Sequence, residues 1–441
     1  MKQFFPSFHQ KNRLLLSIVL LAVFVWSMFS IKWNSDLYHS GGGTVILQIL
    51  KGVVHPAFTP ELAVLGFQSA WITLAYAVAG MSLAIIYAFI TGILASGVMA
   101  SRNISRLFSK IFFRGILGFT RSIHELVWAW LFVAAVGLSP YAAVFAIAIP
   151  YGGILGRIFA DMLEDVNEEP IKALRAAGAS KLQALIYGYL PLVRADMVSY
   201  TMYRFECAIR SSAIMSFIGL GGLGYQIQLS LSDLKYDEVW LFVYYLITVV
   251  LLVDLWSSLI RKGLTHSGKK GKFGSGYFSA IIGLILIIGS WGYIAAGENT
   301  HLFELLSNQN LEFAGKFFGG LIGLNDAHPA FFDSKSWTEA LKLTVETLQM
   351  SIMAIGFATI AAFLTVIPAA RNIANGTLTS AKKWYNWPLF GLVRIVYIFS
   401  RAVPELVWAM MIIFLFKPGI LPGAVALALH NFGILGKLWP R

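Results

Sequence analysis

Ionisable side chains inside long apolar segments are the residues of this chain that could do chemistry. Arg121 and Glu125 stand four residues apart in one such segment, and Arg401 and Glu405 repeat the pair in another. An ionisable group at bilayer depth is costly, so it normally faces the protein interior. Guanidinium groups bind oxyanions through parallel hydrogen bonds. One interpretation is therefore that these arginines lend positive potential to a path for an anion.

Further charges lie in two other apolar segments, where Arg204, Glu206 and Arg210 precede Asp254. The candidates for lining a translocation path are Arg121, Glu125, Glu206, Arg210, Arg401 and Glu405. The alternative is that each Arg–Glu pair, four apart on one helix face, neutralises itself as a structural pair. The arginines would otherwise lie at helix ends among lipid headgroups. A path that must release its cargo favours weak, partly neutralised sites.

Other kinds of chemical site have little support. The glycines of segment 219–224 resemble a phosphate-binding loop, but no Lys-Ser or Lys-Thr follows, and G-x-x-x-x-G-K-[ST] does not occur. The single Cys207 permits no internal disulfide and no cysteine-based metal site. His55 and His328 offer no metal-ligand spacing. We predict no catalytic residue, no metal site and no cofactor.

Composition indicates that membrane helices hold these charges. The chain is 57% apolar and 13% charged, whereas about 25% of residues are charged in a soluble domain. The net charge of +12 comes from short Lys and Arg clusters between apolar runs, which is typical of cytoplasmic loops and not of a nucleic-acid-binding face. Membrane lipid is the expected contact. The apolar run 14–31 is long enough to be a retained first helix and not a cleaved signal.

Ten segments of about 20 mostly apolar residues predict an all-α, polytopic transmembrane helical bundle. With the N-terminus in the cytoplasm, the basic loops 99–114, 262–275 and 370–390 lie inside, and the acidic segments 220–238 and 298–339 lie outside. The predicted spans are roughly 14–32, 71–98, 115–137, 140–160, 197–219, 239–261, 276–297, 340–367, 390–416 and 418–438.

Internal self-similarity is the strongest feature of the chain. Segment 121–129 (RSIHELVWA) recurs as 401–409 (RAVPELVWA), and 153–157 (GILGR) recurs at the same offset as 433–437 (GILGK). Both copies have the same predicted orientation, which indicates a parallel repeat. The predicted first repeat is 1–275 and the second is 276–441. The second is incomplete, because it lacks a counterpart to the loop that follows the fourth span.

That loop, 165–191, is polar enough to leave the membrane. Acids and Pro170 suit the first turn of a helix, and the alanine-rich stretch after them supports it. Gly178 then breaks the helix, and Ser180 starts the next one. The sequence therefore predicts two short helices with a glycine joint on the cytoplasmic side.

The loop resembles a motif of ABC-importer permeases, which reads Glu-Ala-Ala, three residues, Gly, nine residues, Ile-x-Leu-Pro. Lys172 stands in place of the motif's Glu, and Gly188 in place of its Ile. In that family the loop docks into a cleft on the ATPase subunit. The resemblance implies the ATPase-coupling residues Glu169, Lys172, Ala173, Ala177, Gly178, Leu190 and Pro191.

The recurring motif R-x-x-P-E-L-V-W-A and the segments 205–211 and 218–225 resemble phosphonate-type permeases. The second copy has the usual proline of this motif at Pro404, whereas the first copy has His124 in its place. The resemblance implies the membrane-spanning permease subunit of an ATP-driven importer of phosphonate, phosphite or hypophosphite in the bacterial inner membrane. It is then a transporter subunit and not an enzyme.

The expected partners are a separate ABC ATPase subunit on the cytoplasmic side and a periplasmic phosphonate-binding protein, and a dimer of two chains is possible. No nucleic acid is expected. The alternative function is an ion-coupled secondary transporter of a small anion, which would use carboxylates such as Glu125 and Glu405 and need no ATPase.

Overall fold

A computed structural model describes residues 5–31, 33, 37–100, 102–265, 274–297, 308–321, 323–324, 329–376 and 384–438. Regular structure in these ranges is helical, with one isolated antiparallel bridge between Tyr38 and Phe416. The all-α class predicted from the sequence is therefore confirmed. His328 and parts of the loops 262–275, 298–339 and 370–390, on which some expectations depend, lie outside the described residues.

The helices follow one another along the chain with short connections. They are α1 (Phe5–Phe29), α2 (Gly42–Val54), α3 (Pro60–Ser96), α4 (Asn103–Ser122), α5 (Glu125–Val136), α6 (Pro140–Glu164), α7 (Glu168–Ala176), α8 (Lys181–Ala184), α9 (Leu190–Met215), α10 (Leu223–Ser232), α11 (Tyr236–Thr265), α12 (Gly274–Ala296), α13 (Asn308–Leu321), α14 (Ser334–Val366), α15 (Arg371–Ala374), α16 (Asn386–Ala402), α17 (Glu405–Ile412) and α18 (Ile420–Leu438). Two π-helical turns, Leu185–Tyr189 and Ser216–Leu220, flank α9.

Several helices of the described ranges are long and apolar enough to cross a membrane. Within the described residues, six helices are long and apolar enough to cross a bilayer: Pro60–Ser96, Pro140–Glu164, Tyr236–Gly263, Tyr277–Ala296, Ser334–Ala374 and Ile420–Lys437. Two further pairs are bent, at 57° between α9 and α10 and at 93° between α16 and α17, and raise the number to eight if each pair is one span. A polytopic bundle is confirmed, with six to eight candidate spans by length and composition in the described ranges. The shorter apolar stretches Leu15–Phe29 and Glu125–Val136 also lie in predicted spans.

Two of the predicted spans, 115–137 and 390–416, are interrupted by helix breaks at equivalent positions. In the first, α4 ends at Ser122 and α5 begins at Glu125, because His124 adopts extended backbone and its Nδ1 accepts a hydrogen bond from Leu126 N at 3.2 Å. In the second, Pro404 occupies the matching place before α17 and cannot continue a helix. Hydropathy averaged over a whole span does not locate either break, because both spans are apolar on average, although Pro404 is itself a sign of interruption.

One compact unit comprises the described parts of residues 58–229 and 241–325. Its longest contact joins α3 to α6, and small residues make the contact close. A Cβ on Gly80 of α3 would lie 2.8 Å from Ile147 Cβ of α6, and a Cβ on Gly92 would lie 2.9 Å from Gly156 O. Helices α4, α5 and α9 pack around this pair, and α12 packs on α3, where Trp291 Nε1 donates to Ser82 Oγ at 3.0 Å.

The second compact unit comprises the described parts of residues 1–57, 230–240 and 326–441. Here α14 packs along α18, and α16 and α17 also pack on α18. Helix α1 lies on α14, where Phe24 and Phe357 form an edge-to-face pair with ring centroids 5.9 Å apart. The α2 helix is anchored within the same unit, because Trp240 Nε1 donates to Ile49 O at 2.7 Å.

Equivalent helices make equivalent pairs in the two units. The pairs of α6 with α3, α4 and α5 correspond to those of α18 with α14, α16 and α17. Each unit also contains one helix from the other predicted repeat. Helix α12 of the second predicted repeat packs on α3, and α1 of the first packs on α14. Two copies of one unit would give this pairing. The division at residue 275 stays a prediction.

The α3–α6 contact leads to a stability prediction. Gly80→Leu places side-chain atoms where Ile147 already lies, and overpacking of this kind costs about 1–3 kcal/mol. We expect a lower thermal unfolding midpoint in detergent, partly restored by Ile147→Ala. The matched control is Gly118→Leu on α4, where a Cβ meets nothing within 4 Å. Equal midpoints for the two leucine variants would contradict the packing account.

Candidate coupling loop and buried charges

The polar loop after α6 begins with a capped helix, α7. Asn167 is the N-cap, and its side-chain oxygen accepts a hydrogen bond from Glu169 N at 3.1 Å. Glu168 and Glu169 lie in the first turn, where the helix dipole favours acidic side chains. Pro170 also lies in the first turn, where the sequence places it. These signals set the start of α7 without help from the rest of the fold.

Gly178 ends α7 in a left-handed conformation with φ of +89°. Its neighbour Ala179 donates to Leu174 O at 3.1 Å, which closes the C-terminal turn of the helix. The chain then restarts at Ser180 in a capping box: Ser180 Oγ accepts from Gln183 N at 3.3 Å, and Gln183 Oε1 accepts from Ser180 N at 2.8 Å. The predicted helix, glycine joint and second helix are all present.

Past Ser180 the chain runs as one helical rod into the bundle. Helix α8 leads through the π-helical turn Leu185–Tyr189 directly into α9. Leu190 and Pro191, which match the end of the motif, are the first two residues of α9. A displacement of the loop therefore reaches α9 with no flexible linker between them.

Gly188 has a packing role that explains why it replaces the isoleucine of the motif. The residue is buried in the π-helical turn, and a Cβ there would lie 2.6 Å from Ile171 Cδ1 and 3.0 Å from Leu174 Cδ1. The bulky side chains thus come from α7, and the turn supplies the space. This contact holds α7 against the beginning of the rod.

Lys172, the other departure from the motif, pairs within its own helix. Its Nζ lies 2.8 Å from Glu168 Oε2, four residues earlier, and both side chains are exposed. The hydrogen bond from Lys172, with smaller electrostatic contributions from Lys172 itself, Arg106 and Arg175, holds the pKa of Glu168 below its ordinary value. The surface of α7 therefore presents both signs of charge.

The remaining loop candidates share an exposed surface. Glu169, Ala173, Ala177 and Gly178 are all exposed. Alanine and glycine have no bulk beyond Cβ, so another protein can approach the α7 backbone closely along this surface. The loop is thus a preformed, solvent-facing helix with a rigid connection behind it.

The structure separates Arg121 from Glu125. Arg121 is exposed in the last turn of α4, whereas Glu125 begins α5 beyond the break, so the expected pair on one helix face is wrong. Glu125 Oε1 instead accepts a hydrogen bond from Ser211 Oγ of α9 at 2.6 Å. Tyr151 OH of α6 lies 2.7 Å from the same Ser211 oxygen. The carboxylate is thus held by three helices.

Each repeat places a histidine beside its glutamate, but from different sequence positions. His124 Nε2 lies 3.7 Å from Glu125 Oε2, and His430 Nε2 of α18 lies 3.8 Å from Glu405 Oε2. At the offset of 280 residues, Pro404 matches His124 and Pro150 matches His430. The two repeats have therefore exchanged His and Pro while keeping the pairing. Arg401, like Arg121, is separated from its glutamate by the helix break.

The two charged candidates on α9, Glu206 and Arg210, have different surroundings. Glu206 is buried, with Oε1 3.1 Å from Arg261 Nη1 of α11, and Arg261 Nη2 lies 4.0 Å from Asp254 Oδ1. This arrangement links α9 to α11. Arg210 is half-buried and donates to Cys207 Sγ at 3.3 Å.

Sequence reasoning missed the partners of Glu125, Glu206 and Glu405. Ser211, Arg261 and His430 contact these glutamates from other helices, and Tyr151 reaches Glu125 only through Ser211, so no local spacing identifies them. The only available signal was the His–Pro exchange between the repeats. No group of three or more His, Cys, Asp or Glu side chains in the described ranges is placed to hold a metal ion.

Comparison with known proteins identifies the family. Residues 92–266 match the family described as binding-protein-dependent transport system inner membrane component. The chain is 33% identical over 211 residues to the phosphite transport system permease protein PtxC of Stutzerimonas stutzeri, which covers 47% of this chain and 74% of that protein. The chain belongs to this family of binding-protein-dependent inner-membrane transport components.

Two more relatives and one structure extend this comparison. Identity is 26% to the phosphate-import permease protein PhnE of Mycolicibacterium smegmatis, over 74% of this chain and 57% of that protein. It is 30% to the putative cryptic phosphonate transport system permease protein PhnE2 of Escherichia coli, over 27% of this chain and 98% of that protein. A solved structure of the MetNI methionine ABC transporter is 19% identical, covers 47% of this chain and 100% of that one, and has a TM-score of 0.43.

Family membership decides the class of this permease. The matched region contains the loop 165–191 and the charges of α4, α5 and α9. The chain is therefore a membrane transport component and not an enzyme. The phosphonate-type resemblance seen in the sequence is confirmed as a family relationship.

The glycine joint gives a test of the loop. At Gly178 a Cβ meets nothing within 4 Å, so substitution acts through the backbone alone. A left-handed residue with a side chain costs roughly 1–2 kcal/mol, and asparagine tolerates the conformation best. We expect Gly178→Val to abolish most uptake with normal amounts of protein in the membrane, and Gly178→Asn to retain it. Uptake that is the same in both variants would show that the joint's geometry does not matter.

The packing of α7 gives a second test. Gly188→Ile restores the residue of the family motif, yet its side chain overlaps Ile171 and Leu174. We expect α7 to leave its position, and trypsin to cleave after Arg175 several-fold faster in the purified protein. Adding Ile171→Ala should slow that cleavage again. Unchanged cleavage in the single variant would mean that α7 does not depend on Gly188.

Proposed function

We propose that this chain is the membrane-spanning permease subunit of an ATP-driven importer that moves phosphonate or a related phosphorus oxyanion, phosphite or hypophosphite, across the bacterial inner membrane. The observation that carries the proposal is 33% identity over 74% of a relative named as a phosphite transport permease. Relatives named for phosphate and phosphonate transport support the same class of cargo.

The folded loop supports a separate ATPase subunit as the cytoplasmic partner. A capped, exposed helix with small residues on its surface is suited to docking in a cleft, and its rigid continuation into α9 would pass the displacement to the bundle. The second proposed partner is a periplasmic phosphonate-binding protein, in keeping with a family that is binding-protein-dependent. The N-terminus is then cytoplasmic, and ATP is hydrolysed in the other subunit.

The buried charges support a weakly binding path. Arg121 is separated from Glu125 by the helix break, and Glu206 is paired with Arg261. Arginines along the path would lower the cost of moving an oxyanion, and a carboxylate paired with an arginine, such as Glu206, would repel it less. Arg401 and Glu405 are the corresponding residues of the second repeat.

An ion-coupled secondary transporter is not favoured by any of these observations. Its carboxylates would have to exchange ions during transport, whereas Glu125 is bonded to Ser211 and Glu206 lies beside Arg261. Family membership also favours a binding-protein-dependent system.

Uptake of labelled substrates tests the proposal. Cells with the chain deleted, and cells with it restored, are compared for uptake of radiolabelled phosphite, hypophosphite and methylphosphonate in a strain without other importers of these ions. We expect at least one uptake to require the chain, and vanadate or ATP depletion to abolish it. Loss of the same uptake on collapse of the proton gradient at constant ATP would favour the secondary transporter. No dependence on the chain for any of the three would contradict the proposed cargo.

A further inference from the structure

Five charged side chains meet where α4 passes the C-terminal end of α6. We call them the Arg114 cluster: Lys110, Arg114, Arg157, Asp161 and Glu164. Arg114 makes an ion pair with Glu164 through Nη2, and the same nitrogen lies 3.3 Å from Asp161 Oδ1. Lys110 Nζ lies 3.2 Å from Glu164 Oε2, and Arg157 Nε lies 3.0 Å from Asp161 Oδ2.

Arg114 also fixes the end of α3. Its Nε donates to Ala95 O at 3.3 Å, and nearby Ser109 Oγ of α4 donates to Leu94 O at 2.7 Å. One guanidinium therefore joins three helices, and its side chain is 24% exposed. Partly exposed ion pairs contribute little to stability on their own. Their value here is that they fix the position of α4 relative to α6.

The cluster lies on the shortest covalent route from the loop into the bundle. Glu164 is the last residue of α6, and α7 starts at Glu168, so residues 165–167 alone separate them. Helix α4 leads from the cluster to the break before Glu125, whose carboxylate accepts the Ser211 hydrogen bond. From Arg114 to the last residue of α4, Ser122, the helix spans about 12 Å at 1.5 Å per residue. Helix α4 therefore connects the cluster with the half-buried Glu125 contact.

We propose that Arg114 is a positioning residue for transport: by holding Glu164 and Asp161 together, it makes α4 follow any displacement of α7 and so carries that displacement to the Glu125–Ser211 contact. The proposal rests on the proposed function, in which an ATPase subunit moves α7. It assigns a role to residues that neither the loop motif nor the path candidates include.

In the second repeat, the equivalent arginine has an aromatic neighbour at the position of Lys110. Arg394 matches Arg114 at the offset of 280 residues, and Phe390 matches Lys110. The Arg394 guanidinium lies 5.3 Å from the centroid of the Phe390 ring. The counterpart of Asp161 is Arg441, which lies outside the described residues. Arg394 is therefore a matched control position with the same residue type in a different setting.

The test measures uptake and ATP hydrolysis in the same proteoliposomes, with the complete importer of permease, ATPase subunit and binding protein. Arg114→Gln should leave ATPase association and hydrolysis near wild-type levels and lower the substrate moved per ATP by about three- to tenfold. Glu164→Gln should do the same. Arg394→Gln and Arg102→Gln, which remove the same charge elsewhere, should change this ratio less than Arg114→Gln does.

Arg114→Lys keeps the charge but cannot bridge Ala95, Asp161 and Glu164 together, so it should give an intermediate ratio. If Arg114→Gln fails to accumulate in the membrane, Arg114→Lys is the variant on which the same ratio is measured. A wild-type ratio in the variants, or uptake and hydrolysis that fall in proportion, would overturn the role of Arg114. A wild-type importer that associates with no ATPase subunit would instead overturn the proposed function, so the two failures are distinguishable.

Discussion

The contact of Ile171 and Leu174 with the bare backbone at Gly188 is the interaction on which the account depends. An isolated helix of nine residues is marginal in water, because too few hydrogen bonds form to offset its nucleation. Helix α7 has its caps at both ends, but caps alone do not orient it. Packing on the π-helical turn gives α7 a fixed position, and that turn is continuous with α9. A motion imposed on α7 therefore becomes a motion of α9.

The bundle offers two routes from the loop to the Glu125 carboxylate. One runs along α9, which carries Ser211 and Glu206. The other runs back through Glu164 to Arg114 and along α4 to the break before Glu125. Both end at the hydrogen bond between Glu125 and Ser211. A change in the position of α5, which begins at Glu125, relative to α9 would lengthen or break that hydrogen bond.

The sequence predicts a structural feature when the residues that determine it are close together in the chain. The start of α7, the glycine joint and the Ser180 cap were predictable, because each results from residues within four positions of one another. The break at His124 was not predictable from hydropathy averaged over its span, whereas Pro404 marks an interruption of the other span in the sequence itself. The partners of Glu125 and Glu206 were not predictable either, since Ser211 and Arg261 come from other helices. Helix α1 packs on α14, and α12 packs on α3. In each case the two helices come from different predicted repeats, so the repeat pattern in the sequence does not predict these contacts.

Labelling of α7 tests most directly the claim that it is a cytoplasmic docking helix. The chain has one cysteine, Cys207, so Cys207→Ser gives a background in which Ala177→Cys is the only thiol. A membrane-impermeant maleimide should label Ala177→Cys in inside-out vesicles and not in intact spheroplasts, and added ATPase subunit should block the reaction. Labelling from the outer side, or labelling that the ATPase subunit leaves unchanged, would contradict the account.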